Sequence, residues 1–173
     1  MAFGLFISRN DIIKTTPLQG AIDADKLLPF IKTAQPKYIE NLLGTVLYNK
    51  LQSDVESQTP FTGYYETLMV DYVKPTLIWY SCVEYLPFSG VQFKSEGAVK
   101  HKSEQSEAVT KSEIDYLIQK AQDNAEWYAT RMQDYLIANS SNIPEFLETT
   151  GDTTMIYPDQ SNQYFSGLQL WVI

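Results

Sequence analysis

Residues 110–139 read TKSEIDYLIQKAQDNAEWYATRMQDYLIAN, and this stretch decides the fold. Thr110 followed three residues later by Glu113 is a capping-box pattern, in which each residue's side chain serves the other's backbone N–H. Behind it Ile114, Leu117, Ile118, Ala121, Ala125, Tyr128, Met132, Tyr135 and Leu136 recur at three and four residues and trace one helical stripe. The spacing predicts a helix over 111–139. At 1.5 Å per residue it is roughly 40 Å long, more than three shorter helices need for a compact core, so part of the rod is expected to contact something else.

Working outward, the same period recurs twice upstream. From Ile22 to Leu51, the residues Leu27, Leu28, Ile31, Ala34, Tyr38, Ile39, Leu42 and Leu43 share a face, with Asp23 or Asp25 as the expected N-cap. Pro29 suits a first turn, where its missing N–H removes no hydrogen bond. Pro36 inside a continuous helix would cost about 3 kcal/mol, so a kink or break is expected there. Gly44 supplies a left-handed stop, and Thr45 is expected to cap a short helix through Leu51. Pro60 and Gly63 mark 57–63 as a loop. Tyr65, Leu68, Met69, Tyr72, Val73, Leu77, Tyr80 and Val83 then follow a third helical face, with a bend expected at Pro75 and a stop at Pro87. Between Phe88 and Thr110 the helical period is lost, and Val91, Phe93 and Val99 suggest a small hairpin around Ser95, Glu96 and Gly97.

The predicted fold is therefore mainly α: a small helical bundle with one long helix in its C-terminal half, a loop or small hairpin before that helix, and an extended C-terminal tail. Residues 1–139 form the helical domain and 140–173 the tail. After Arg131 there is no basic residue, only Asp134, Glu145, Glu148, Asp152 and Asp159. Phe146, Tyr157, Tyr164, Phe165 and Trp171 make the tail too aromatic for an ordinary disordered segment, so 140–173 is expected to order by docking outside its own bundle on a partner, with folding back over its own core as the alternative.

The 173 residues suffice for a self-sufficient core. A single cysteine, Cys82, allows no disulfide within the chain and fits a reducing compartment. No stretch approaches the length of a membrane span. Thirteen Lys and Arg against 21 Asp and Glu give −8, which disfavours a free-standing nucleic-acid binder, since phosphate neutralisation needs a basic surface. The twelve Tyr suit positions with one end buried and one wet, as at interfaces, though they serve a core equally well.

Catalytic and metal chemistry find no foothold. The lone histidine, His101, stands between Lys100 and Lys102, which repel a cation, and a second imidazole is lacking. There is no phosphate-cradling glycine loop and no G-x-S-x-G. Glu145 with Glu148, and Asp23 with Asp25, read as solvated turns or helix starts. Cys82 lies on an apolar face and reads as core. The expectation is a non-enzyme with no catalytic residue, metal or cofactor.

The run Tyr38-Ile39-Glu40-Asn41-Leu42-Leu43-Gly44-Thr45-Val46-Leu47-Tyr48 resembles the tyrosine helix closed by Leu-Gly-Thr and a Leu-Tyr pair in head-tail connector (adaptor, or head-completion) proteins of tailed bacteriophages. The version it looks like is that of Bacteroidetes-infecting and crAss-like phages. Ile7 to Ile13, Ile22 to Pro29, and Ala125 to Tyr128 with Asp134 to Leu136 follow the same pattern. The resemblance spans roughly residues 7–139. It implies a structural virion protein, the subunit of a twelve-copy ring in the neck. Such a ring joins the capsid portal protein to an adjacent neck or tail protein, lines the channel for passing double-stranded DNA, and is assembled in the host cytoplasm without membrane contact. Another neck component, such as a tail-completion or stopper protein, and a monomeric helical binding module are the alternatives.

A ring subunit needs two side faces, which a long rod with excess apolar or aromatic residues such as Tyr116 and Trp127 could supply. Lys94, Glu96, Lys100, His101, Lys102, Glu104 and Glu107 form the candidate channel-facing or inter-ring loop, the least acidic candidate for touching passing DNA or a charged partner. Tyr164, Phe165, Leu168, Leu170 and Trp171 are the candidate partner-docking residues of the tail. The alternation from Leu168 to Ile173 suits a strand added to an exposed sheet edge.

Overall fold

The computed structural model describes residues 4–18, 24–89, 91–94, 97–100, 110–148 and 152–158. α1 (Arg9–Thr15) starts at Ser8, whose N–H and hydroxyl both donate to the Asp11 carboxylate, at 2.7 and 2.8 Å. α2 (Ala24–Ala34) runs without interruption into a π-helical segment (Gln35–Glu40) and the short α3 (Asn41–Leu43). After Gly44 comes α4 (Thr45–Glu56). A loop leads to α5 (Tyr64–Thr67), which continues through a second π segment (Leu68–Val73) into α6 (Lys74–Tyr85) and a single 3-10 turn (Leu86–Phe88). The antiparallel strands β1 (Val91–Lys94) and β2 (Gly97–Lys100) pair with Phe93 opposite Ala98. Next are α7 (Lys111–Ala138), a 3-10 turn (Ser140–Asn142) and α8 (Pro144–Leu147). The fold is mainly helical with one long helix, as the periodicity predicts, and the hairpin lies where Val91, Phe93 and Val99 suggest.

The prolines behave differently from expectation. Pro36 neither breaks nor ends its helix. The turn around it widens to the π spacing, which takes up the missing donor while the rod continues to Leu43. Pro29 is not in a first turn: α2 has already begun at Ala24, and the Thr33 hydroxyl donates to the Pro29 carbonyl at 3.0 Å. Asp25 lies inside α2 and so does not cap it, while Asp23 is outside the described residues. At Pro75 the rod again loosens into a π segment just upstream, and the Thr76 hydroxyl serves the Tyr72 carbonyl at 2.7 Å. Thr45 is the first residue of α4 instead of its cap, a position that Gly44 takes with φ 79°.

α6 is the central helix, with α2 and α7 packed against it. Leu27, Ile31, Ile39, Leu43, Leu47, Leu51, Leu68, Met69, Val73, Leu77, Met132 and Leu136 are all buried. Each such side chain removed from water contributes roughly 1.5–3 kcal/mol. On α7 the inward positions Ala121, Ala125 and Ala129 are buried and small, which lets the helix axes come close. Leu117 departs from the expected stripe and is 47% exposed. Ala129, Ile78 and Cys82 are buried although the stripes did not include them. At the edges of the core Tyr38 stacks on Tyr80 at 4.0 Å and Tyr72 on Tyr135 at 4.6 Å.

The expectation that everything after Ser140 docks outside its own bundle is overturned for residues 140–148 and 152–158. Ile143 and Phe146 are buried in the core, where two large apolar side chains are more stable than in water. The Tyr65 hydroxyl donates to Glu145 at 2.6 Å. Residues 152–158 lie over the start of α4, where the Thr45 N–H donates to the Ile156 carbonyl and the Ile156 N–H to the Thr45 hydroxyl, both at 2.9 Å. Residues 159–173, with Tyr164, Phe165, Leu168, Leu170 and Trp171, lie outside the described residues.

Candidate self-association surface

No residue between Lys111 and Lys120 is buried, and the first inward anchor of α7 is Ala121. The opening of the helix is therefore largely exposed and meets the core only through half-buried side chains such as Ile118. On the side away from α6, Tyr116, Lys120, Trp127 and Arg131 recur at four, seven and four residues and share one face. Tyr116 is 62% and Trp127 53% exposed. Both rings are held under cations: the Arg131 guanidinium lies 4.8 Å from the Trp127 ring centre and the Lys120 ammonium 5.9 Å from that of Tyr116. Such pairs are worth about 0.5–1 kcal/mol where exposed. Trp127 also meets Tyr128 edge-on at 4.7 Å. These contacts bias the ring orientations before any partner arrives, which lowers the ordering cost of binding.

Tyr116 and Trp127, the two interface candidates, lie about three turns apart on one face of α7. Of the candidate loop, only part falls among the described residues. Lys94 and Lys100 stand on the hairpin strands opposite Gly97 and Val91, while Glu96, His101, Lys102, Glu104 and Glu107 lie outside the described residues. Phe30 of α2 contacts both Tyr85 of α6 (5.5 Å) and Phe88 of the 3-10 turn (5.4 Å), an aromatic cluster just before the hairpin in sequence.

Two polar clusters escaped the sequence reading because no periodic pattern marks them. Gln35 is fully buried; its carbonyl oxygen accepts from the Phe6 N–H at 2.9 Å and its amide donates to the Gly4 carbonyl at 2.8 Å. It thereby clamps the N-terminal segment to the first π segment. Glu84 accepts from the Lys37 ammonium at 2.7 Å and the Tyr38 hydroxyl at 2.6 Å. Burial alone would raise the Glu84 carboxyl, but these two donors outweigh it and hold it below its usual range. Burial pushes the Cys82 thiol up to about 12, opposed only weakly by Thr16, which suits a core residue and not a nucleophile.

An open cleft of about 520 Å³ lies between the N-terminal segment and α2, lined chiefly by Leu5, Phe6, Ile7, Leu28 and Ile31. Among the described residues there is no cluster of metal-ligating side chains, and no helix is long and apolar enough to cross a membrane.

A family of unknown function, DUF6712, matches residues 39–154, more than half of the chain. The chain belongs to that family. The DUF6712 match begins within the first π segment and ends in the segment that approaches α4, so it takes in α6, α7 and the buried Ile143 and Phe146. The family's common unit thus extends past the long helix. No curated protein and no solved structure matches the chain.

Proposed function

We propose that this chain is a structural virion protein, the subunit of a homo-oligomeric ring in the neck of a tailed phage. The ring joins the capsid portal to the tail and surrounds the DNA channel. The observation that carries this reading is the outward Tyr116–Trp127 face of α7. Exposed aromatic rings on the side opposite the packed face suit the centre of a protein interface. The net charge of −8 fits a conduit that should not grip its cargo, since only a basic wall would bind phosphate strongly. The resemblance of residues 38–48 to connector proteins supplies the setting, with twelve copies, portal and an adjacent neck or tail protein as the partners.

Mass photometry of the purified protein, alone at high concentration and mixed with portal, tests this. Rings are expected in at least one condition, and monomer in both rejects the reading. The open apolar cleft beside Leu5, Phe6 and Ile31 favours a second reading, a monomeric binding module. That module would stay monomeric throughout.

A further inference from the structure

We infer that the open cleft between the N-terminal segment and α2 receives residues Leu168 to Ile173 of a neighbouring copy of this chain. This rests on the ring reading above and names the two halves of one subunit contact.

The cleft is the receiving half. Leu5, Phe6 and Ile7 line it from the N-terminal segment, Leu28 and Ile31 from α2, and the start of α1 supplies the polar remainder. Both charged groups of that remainder are engaged, Asp11 by Ser8 and Arg9 by an interaction of its own. A charged occupant would lose its water there without gaining a partner, so uncharged apolar side chains fit the cleft best. Its lining also carries main-chain donors. The N–H groups of Gly4 and Phe6 are taken by Glu56 and Gln35, but among the described residues nothing accepts from those of Leu5 and Ile7. An extended peptide brings both apolar side chains and main-chain carbonyls, which a small apolar ligand does not.

Residues 160–173 supply the matching half. They are the longest uncharged run of the chain, and in them Leu168, Leu170 and Val172 alternate with Gln169, Trp171 and Ile173. Reach decides whose cleft they meet. Pro158 packs on Gly44 at the head of α4, and Tyr48, whose N–H donates to the Gly44 carbonyl, meets Phe6 of the cleft edge-on at 5.6 Å. Pro158 and the cleft wall are thus one turn of α4 apart, about 5 Å. Ten residues lead from Pro158 to Leu168, and extended they span up to about 33 Å, the width of a small domain. That link exceeds the gap to the subunit's own cleft several times over and matches the step to the next subunit's. A segment of one copy in the cleft of the next is a heterologous contact, the kind that closes a ring when the rotation fits.

A labelled synthetic peptide of residues 160–173, added to the full-length protein at a dilution where it is monomeric, tests the recognition by fluorescence anisotropy. The wild type is expected to bind it. Leu28→Glu, a change at a side chain 37% exposed, should weaken binding tenfold or more, with circular dichroism checking that the helix content is kept. A peptide carrying Leu170→Glu should lose binding to the same degree and leaves the protein untouched. No binding by the wild type, or binding that neither change weakens, would overturn the assignment. Mixing then shows whether the segment crosses to another copy. Where the wild type forms rings, full-length Leu28→Glu and full-length Leu170→Glu should each stay monomeric. Together they should give a heterodimer and nothing larger by native mass spectrometry, because one supplies the intact segment and the other the intact cleft. A mixture that stays monomeric while the peptide binds would return the segment to its own cleft and overturn the exchange. A wild type that forms no ring in any condition rejects the ring reading itself, and the peptide then still decides whether the cleft recognises the segment.

Discussion

Gln35 illustrates how one polar side chain can organise a segment far from it in sequence. It is fully buried on the first π segment, and both ends of its carboxamide are used by residues about 30 positions earlier. Replacing it with Leu keeps the volume but leaves the Phe6 N–H and Gly4 carbonyl facing an apolar wall, which costs about 1–3 kcal/mol for each such group. Gln35→Leu is expected to lower stability in urea by about 2 kcal/mol or more and to speed exchange of the Phe6 amide. Unchanged Phe6 protection would show that the segment holds without the clamp. Glu84 makes a pH prediction at the same scale. Its carboxyl is held low in the folded chain, so the stabilisation is present above the ordinary carboxylate range and fades as pH falls through the folded value. The stability gap between wild type and Glu84→Gln should therefore be widest near neutrality and shrink on acidification. Lys37 is the poorer reporter, being 55% exposed and screened by solvent. A gap that stays constant from neutral pH down to well below the carboxylate range would contradict this.

At the scale of the elements, what repeats was legible and what meets across the chain was not. The stripes of α2, α6 and α7, the Thr110–Glu113 box and the Gly44 stop follow from spacing and capping rules alone, and the structure repeats the box with Thr110 N–H to Glu113 at 2.8 Å. Pro36 was legible only as a disturbance, because sequence shows the lost donor but not whether the rod bends, breaks or widens. The face of Tyr116 and Trp127 was legible in residue type, yet its orientation away from α6 depended on Ala121, Ala125 and Ala129 being the packed side. The closure of α4 by Ile156 could not be read at all, since it joins residues 111 positions apart. Gly44 is the residue that permits it. Its φ of 79° and ψ of 155° lie in a region essentially reserved for glycine, and an added Cβ would sit 2.5 Å from the Pro158 ring. Gly44→Ala should therefore cost about 1–3 kcal/mol in backbone strain and displace Ile156 from Thr45. Urea unfolding and the exchange rate of the Thr45 amide report the two effects separately. A Thr45 amide as protected as in the wild type would mean that the segment tolerates the methyl group.

For the molecule as a whole the question is where the self-sufficient fold ends and the assembling surface begins. Had the bundle ended at Asn139, as the loss of helical period suggests, the remaining residues could be removed without harm to the monomer. The structure puts that limit later, because Ile143 and Phe146 are buried in the core and the Tyr65 hydroxyl holds α8 through Glu145. Truncating a buried Phe to Ala alone typically costs about 3–5 kcal/mol, a large part of the total stability of a domain this size. A chain ending at Asn139 is therefore expected to lose most of its stability in urea, or to fail to fold. A chain lacking Tyr164 to Ile173 keeps every core residue described above and removes the aromatic docking candidates. On the neck-ring reading its unfolding midpoint should stay close to the wild type while its rings, alone or with portal, become scarce. Parallel urea titrations and mass photometry of the two truncations separate fold from assembly. If the shorter deletion melts as badly as the longer one and still assembles, the last ten residues serve the monomer, and the docking role assigned to Tyr164, Phe165, Leu168, Leu170 and Trp171 is wrong.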